Sequence, residues 1–531
     1  MKRIKNITSA QLIMFTSVFL TLFFNFRFFK NTTDSYPLIW DNIPFLCSMA
    51  VVFACLMVIA LTLLCFKYTL KPVLIVLLTV SSLTAYFMDS YNVIIDATML
   101  QNIAATDPNE IKDLFSFKLL AYVVFLGLAP SLFVYKTPVV WESLTTELIK
   151  KALRIILSLI IIACLLFSFS RFYTSFFREH RVLRHYTNPI AWVHATGKYI
   201  RGTVESDTNQ ITPIGMDARN SATDTGRQLI ILVVGEAVRA DRLSLNGYFR
   251  ETTPLIQQED IINFSNMVSC GTTTVISVPC MFSVFGREDF TREKGNATEN
   301  LLDVLTHAGV HVLWRDNNSS SKGVADRVPY EDFRHPDKNP LCDDGECRDE
   351  GMLAGLQEYI DRQETGDIFI ILHQLGNHGP AYYKRYPKSF EKFTPVCETN
   401  QVEQCTSEEI GNAYDNCILY TDYFLSKTIE LLKQNTGRFE TAMIYVSDHG
   451  ESLGEKGLYL HGLPYVMAPD EQKHIAAVMW FGDGFKIDKN TLQTKSGNAF
   501  SQDYLFHTIL GLMEIETEVY DKNLDIVNYD R

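Results

Sequence analysis

Charge is scarce in the first third of this sequence. Up to residue 172 the chain runs in apolar blocks with few ionisable side chains, and only beyond it does the composition become that of a soluble protein. No internal repeat and no extended low-complexity tract stands out. The basic start, Lys2, Arg3 and Lys5, leads to no small-residue cleavage site, and Arg27 and Lys30 follow the first apolar block, so that block reads as a retained anchor and not a removed signal. A basic excess is missing as well. The net charge of -13 gives no basis for nucleic-acid binding.

What fills the first third is hydrocarbon. The blocks run from Gln11 to Phe26, Phe45 to Phe66, Val73 to Met88, Leu119 to Tyr135 and Ile155 to Ser170, each near the ~17 to 25 residues that a spanning helix needs. Five in succession are hard to explain as soluble core, so residues 1–171 are expected to form a five-helix transmembrane domain. Lys67 and Lys71, then Lys136, Lys150, Lys151 and Arg154, fall in alternate loops, which puts those loops inside and the large C-terminal part outside.

That orientation decides what the cysteines can be. Of eleven, Cys47, Cys55, Cys65 and Cys164 lie in apolar blocks and seven lie in the outer part, where an oxidising compartment allows pairing. Spacing suggests three local bridges, Cys270 with Cys280, Cys342 with Cys347 and Cys397 with Cys405, leaving Cys417 unpaired. Zinc binding by these cysteines is the rival, but no histidine pair accompanies them at finger-like spacing.

Residues 172–228 begin with Phe172, Tyr173, Phe176, Phe177, Tyr186 and Trp192 mixed with Arg171, Arg178, Arg181 and Arg184. This suits helices lying on membrane lipids, or a plain juxtamembrane flank. The stretch then turns polar and reads as a linker. From 229 to 531 short apolar strands alternate with helical stretches, the pattern of an α/β sheet. Strands are predicted at Leu229 to Val234, Val310 to Trp314, Ile368 to Leu372, Thr441 to Ser447 and Ala476 to Phe481. "GEAVRADR", "RDNNSSSKG", "HQLGNHGP" and "DHGES" follow the first four. Ligands in open α/β sheets bind outside the carboxyl ends of the strands, so these segments should converge.

Their residue types have a definite chemistry. Glu236, Asp448 and His449 can offer two oxygens and a nitrogen to a metal such as zinc, with His378 and His461 left for a second metal or for substrate. "SCGTTTVISVPC" supplies three adjacent hydroxyls. A threonine hydroxyl is a poor nucleophile at neutral pH, and metal coordination lowers its pKa and fixes its direction.

In order, "VVGEAVRADR", "SCGTTTVISVPCMFS", "WRDNNSSSKG", "LHQLGNHGPAYYKRYP", "YDNCILYTD" and "VSDHGESLGEKGLYLHGLPY" resemble the phosphoethanolamine transferases that modify lipid A, including the mobile colistin-resistance enzymes. The resemblance covers nearly the whole chain. It implies an alkaline-phosphatase/sulfatase-like C-terminal domain with a Zn2+ site facing the periplasm of a multi-pass inner-membrane protein. By position, Thr274 matches the nucleophile, and Glu236, Asp448 and His449 match zinc ligands beside it. Asn318, Lys322, His378 and His461 fall where the family contacts the phosphoethanolamine group or further metal, and Asn102, Thr106 and Glu110 fall on its lipid-site positions. Ala237 stands where the family usually has threonine, which could alter a hydrogen bond behind the metal ligands.

The implied reaction is ping-pong, with phosphatidylethanolamine as donor, a phosphoethanolamine-threonine intermediate and a lipid A phosphate as acceptor; either His378 or His461 can protonate the leaving oxygen. A monomer is expected. The alternatives are phosphoethanolamine or phosphoglycerol transfer to another glycan, a non-catalytic receptor that kept the fold, and a sulfatase, whose C-x-P-x-R nucleophile context is missing after Pro279. If Asn102, Thr106 and Glu110, at a spacing of four, share one helical face, Glu110 can neutralise the donor's ammonium. Glu110→Ala should then stay near wild type on a short soluble donor analogue and lose transfer from phosphatidylethanolamine in bilayers; equal rates on the bilayer donor would remove this loop from the reaction.

Overall fold

The computed structural model describes residues 7–105, 114–206, 211–221, 226–343 and 345–527. The chain divides into two compact units, Met1–Leu100 with Phe115–Lys198, and Gln101–Leu114 with Tyr199–Arg531.

The first unit is helical. Ile43–Leu64, Leu70–Tyr91, Phe117–Lys136 and Leu144–Ser168 are each long and apolar enough to cross a membrane; at 1.5 Å per residue, 22 residues reach about 33 Å against a hydrocarbon core of about 30 Å. Leu12, Leu20, Leu61, Leu74 and Leu78 pack in its core, while Leu153, Ile156, Leu157 and Ile160 are exposed, as side chains facing lipid would be. The expected first span is bent and not one straight helix. Ser9–Phe23 has only 15 residues and bends by 54° into Phe26–Ser35, so the count is four, or five if the bent pair is one span. Asn25 sits at the bend: its amide donates to the Leu20 carbonyl at 2.9 Å and to the Asn188 carbonyl at 2.7 Å. A side chain inserted into the helical ladder is a recognised cause of a kink.

Basic side chains gather the loops at one end of this unit. Lys71 Nζ donates to the Tyr135 carbonyl at 2.8 Å, and Lys151 Nζ donates to the Cys65 carbonyl while lying 3.5 Å from the centre of the Phe66 ring. From the aromatic stretch after residue 171, Tyr173 and Phe176 are buried, with Tyr173 against Phe45 and its hydroxyl 3.0 Å from that of Ser48. Much of the aromatic content there is packing within the unit.

The second unit is built on a seven-stranded sheet. Its strands are β1 (Gln228–Gly235), β2 (Ile261–Asn263), β3 (His311–Asp316), β4 (Tyr330–Asp332), β5 (Ile368–His373), β6 (Glu440–Ser447) and β7 (Ala477–Phe481). The order across the sheet is β2-β7-β6-β1-β5-β3-β4. All five predicted strands form, each within two residues of its expected ends, and the short edge strands β2 and β4 are additional. The central strands are apolar on both faces because both faces are covered. Ile230, Leu232 and Val234 pack with the Leu301–His307 and Leu505–Leu512 helices; Leu229, Ile231 and Val233, pointing the other way, are equally buried. The long Ser407–Asn435 helix, whose start is fixed by a Thr406/Glu409 capping box, lies against β6.

Register is what places the site. β6, β1, β5 and β3 are adjacent and parallel, and Ser447 pairs with Gly235, His373 with Val234 and His373 with Asp316. Four strands therefore end at one level, and the residues that follow them emerge together.

Asp316 knots two of those ends. Its carboxylate accepts from Trp314 Nε1 at 2.8 Å, from His373 Nδ1 at 2.9 Å and from the backbone of Asn318 at 2.9 Å. Burial alone would raise its pKa, but the His373 charge and these hydrogen bonds bring it below the usual range. Its contribution is complete above the unfolded pKa of about 4 and is lost as pH falls through the lower folded value. Asp316→Asn should cost roughly 1 to 3 kcal/mol in urea unfolding of the full chain near neutral pH, and an unchanged midpoint would show the knot to be dispensable.

Candidate active site

Glu236 follows β1, and Asp448 and His449 follow β6; all three are fully buried. The close approach of the next loop depends on Gly376, at φ +49°, where a Cβ would stand 3.0 Å from the Glu236 carbonyl oxygen. Ala237 also has positive φ. Its backbone N–H donates to Asp448 Oδ1 at 3.0 Å and its carbonyl accepts from Tyr414 at 2.5 Å. The bonds made at this position are therefore backbone ones, which need no threonine.

The three threonines are told apart by position. Thr272 Oγ1 donates to the Leu463 carbonyl at 2.6 Å, Thr273 stands at the N-cap position of the Thr274–Met281 helix without a cap bond from its hydroxyl, and Thr274 is that helix's first residue. Thr274 Oγ1 donates to Glu236 Oε2 at 3.1 Å and lies 3.3 Å from His449 Nε2. The positive end of the helix dipole favours negative charge there.

His449 Nδ1 faces the Gly450 carbonyl at 2.9 Å, so in the neutral ring the proton sits on Nδ1 and Nε2 presents a lone pair. That lone pair is 3.2 Å from Asp448 Oδ2 and 3.4 Å from Glu236 Oε1, two buried oxygens without a hydrogen-bond partner. Burial holds the His449 pKa low, which keeps the ring neutral; burial first, and then the Asp448 charge, push that of Glu236 well above the carboxylate range. Lone pairs gathered in a dry site call for a cation or a proton. The donors, two carboxylates, an imidazole and a hydroxyl, fit zinc.

His461 joins this group: Glu236, His449 and His461 each bring a ligand atom within 4.8 Å of the others. His378 stands behind it, with ring centres 6.4 Å apart, and its pKa is held well below the usual value by burial first and then by Arg385. Asn318 donates to Glu236 Oε2 at 2.9 Å, so its amide steers the carboxylate. Lys322 is buried, at φ +55°, and its Nζ donates to the carbonyl and hydroxyl of Ser319 at 2.8 and 2.5 Å. Asn102 lies on the Ala97–Ala105 helix; Thr106 and Glu110 fall outside the described residues.

The bridges divide. Cys342–Cys347 and Cys397–Cys405 are bonded, whereas Cys270 and Cys280 are separate buried thiols, a departure from the expected third bridge. Their sulfurs lie close to each other and to Asp503, and Cys270 Sγ donates to Asp503 Oδ1 at 3.2 Å. The threonine loop is anchored by other bonds. Gln502 accepts from the Cys270 N–H at 2.7 Å and donates to the Ser447 and Asp448 carbonyls at 2.8 and 2.9 Å, and Gly462 N–H donates to the Thr272 carbonyl at 2.9 Å.

Sequence reasoning did not find Gln502, nor Glu451. Glu451 is fully buried, 2.7 Å from His461 Nδ1, and accepts from the Tyr382 hydroxyl at 2.6 Å. Its place in "DHGES", two residues after His449, was the available signal. Nothing in the local sequence marks Gln502.

Among known proteins, a family described as Phosphoethanolamine transferase EptA/EptB matches residues 53–204, and the Sulfatase family matches residues 228–515. Phosphatidylethanolamine transferase Mcr-1 of Escherichia coli is 40% identical over 529 residues, 97% of this chain and 96% of its own. Phosphoethanolamine transferase EptA of Escherichia coli K12 is 37% identical over 526 residues, 97% of this chain and 96% of its own. The integral membrane protein lipooligosaccharide phosphoethanolamine transferase A of Neisseria meningitidis superposes with a TM-score of 0.94 at 35% identity, covering 98% of this chain and 99% of that one. The chain belongs to the phosphoethanolamine transferase family.

For a phosphoethanolamine transferase the geometry singles out one hydroxyl of three. Thr274→Ala should lower transfer by more than about a thousandfold with the fold retained, whereas Thr272→Ala, which removes only the bond to Leu463, should act mainly through about 1 kcal/mol of loop stability. Transfer assays beside thermal melts check this; an active Thr274→Ala with an inactive, folded Thr273→Ala would mean the wrong hydroxyl.

Proposed function

We propose that this chain spans the bacterial inner membrane, holds its second unit in the periplasm, and moves phosphoethanolamine from phosphatidylethanolamine to a phosphate of lipid A. The observation that carries the reading is the placement of Thr274 Oγ1 3.1 Å from Glu236 Oε2 and 3.3 Å from His449 Nε2, at the edge of a buried cluster of lone pairs. The relatives' names supply the group and its donor.

Glu236, Thr274, Asp448 and His449 would hold a zinc ion, which when bound supplies positive charge to the site and lowers the pKa of the threonine hydroxyl. In the first displacement Thr274 Oγ1 attacks the donor phosphorus; the Oγ–P bond forms and the P–O bond to diacylglycerol breaks. Thr274 passes its proton along its hydrogen bond to Glu236 Oε2, and the departing oxygen takes a proton from His378 or His461. Lys322 places an ammonium in the site, where it stabilises the charge gathering on the phosphoryl oxygens. Asn318 holds Glu236 in position throughout. In the second displacement a lipid A phosphate oxygen attacks the same phosphorus, the P–Oγ bond breaks and Thr274 recovers its proton. Asn102, Thr106 and Glu110 bind the lipid donor. The product carries an ethanolammonium in place of exposed phosphate charge, which weakens the hold of cationic peptides such as polymyxin.

Purified full-length protein in phosphatidylethanolamine vesicles with lipid A should yield lipid A carrying one more phosphoethanolamine by mass spectrometry, and without acceptor a peptide bearing phosphoethanolamine on Thr274. Metal analysis should find zinc that is lost from Asp448→Ala. Modification of a different glycan with lipid A untouched would sink the acceptor; transfer with no modified Thr274 peptide would sink the two-step path.

A further inference from the structure

Beyond the cluster that holds Thr274, the second unit contains a short hairpin whose bonds lead into the site. Cys342–Asp343 pairs antiparallel with Glu346–Cys347, and the disulfide joins the facing residues Cys342 and Cys347. The hairpin reaches two of the strand ends. Asn317, one residue before Asn318, donates to the Cys347 carbonyl at 2.9 Å. Glu346 Oε2 meets Arg385 Nη1 at 2.6 Å, and Arg385 Nε donates to the carbonyl of His378 at 2.7 Å. The next residue adds a second tie: Arg348 donates to the Lys384 carbonyl at 2.5 Å and to Asp343 at 2.7 Å.

We propose that this disulfide-closed hairpin is the positioning device for His378, acting through Glu346 and Arg385. The ion pair is withdrawn from water, with 3% of the Arg385 side chain and 13% of the Glu346 side chain exposed. Its hydrogen bonds are charge-assisted and directional. One guanidinium thus spans from the hairpin carboxylate to the backbone of the residue whose imidazole faces His461. The segment after β5 carries no regular strand or helix through His378 and runs into only a three-residue helical turn at Tyr382–Lys384. Its backbone is held by bonds such as the one from Arg385 to the His378 carbonyl and those of Leu375 and Gly376 to Asp349, and the short closed loop carries the carboxylate that meets Arg385. Glu346 and Arg385 are positioning residues: they act on the reaction through His378.

The inference rests on the proposed reaction, in which His378 is a candidate proton donor. It predicts non-additivity, because two changes acting through one group cannot both take full effect. Glu346→Gln is the mild variant, since the amide can still accept from Arg385, and Cys342→Ser/Cys347→Ser loosens the hairpin without touching the ion pair. In full-length protein, each should lower kcat by about tenfold with KM for phosphatidylethanolamine little changed. In a His378→Ala background neither should lower it further. Hydrogen exchange of peptides covering residues 374–386 should quicken in both variants, while that of the Ser407–Asn435 helix should not. Equal losses in both backgrounds, or wild-type kcat and exchange in an active protein, would overturn the positioning role alone. A wild type that transfers nothing would overturn the proposed function and this inference with it.

Discussion

Two carboxylates and a bare imidazole nitrogen face one another in a site closed to water. Glu236 Oε1 and Asp448 Oδ2 lie 3.4 and 3.2 Å from His449 Nε2, and neither oxygen has a hydrogen-bond partner. Like charges at such distances in a dry interior cost several kcal/mol unless a cation or a proton enters. Much of the second unit serves to hold this arrangement. Asp448 receives backbone N–H groups from Ala237 and His449 on one oxygen, which leaves the other aimed inward. Asn318 occupies one oxygen of Glu236 and leaves the second bare. The site is strained electrostatically by construction, and the hydroxyl of Thr274 sits at its edge.

The scaffold can bear this because the charges sit just beyond the ends of fully buried strands. Parallel strands in register set their last residues at one height, so single residues after β6, β1 and β3 reach a common point without long loops. The loop after β3 turns tightly, with Ser320, Lys322 and Gly323 all at positive φ. Asp316 accepts from two backbone N–H groups within it, a local device that favours such turns over continued strand.

Legibility in the sequence followed the length over which a signal repeats. The five apolar strand runs and four long apolar helices announce themselves by composition, and the segments after the strands carry residue types that seldom gather by chance. The bend in the first apolar block is not legible because the block is continuous while a side chain at the bend, Asn25, bonds to Asn188 far along the chain. The edge strands β2 and β4 are three residues each, too short for alternation to speak. Cys270 and Cys280 have spacing that suits a bridge, yet a thiol with a carboxylate acceptor at hand has another partner. Gln502 was invisible for a similar reason: its work is done with backbone groups of distant residues, which have no sequence of their own.

The anchors of the threonine loop come late in the chain. Cys270 leans on Gln502, 232 residues onward, and Thr272 on Leu463, 191 residues onward. Synthesis proceeds from the N-terminus, so Thr274 leaves the ribosome long before the residues that aim its hydroxyl. A half-made molecule has Thr274 but neither His449 nor the glutamine that steadies the loop. The cluster around Thr274 is therefore complete only when the last part of the chain has been made and folded, and the order of translation itself keeps the site unfinished until then.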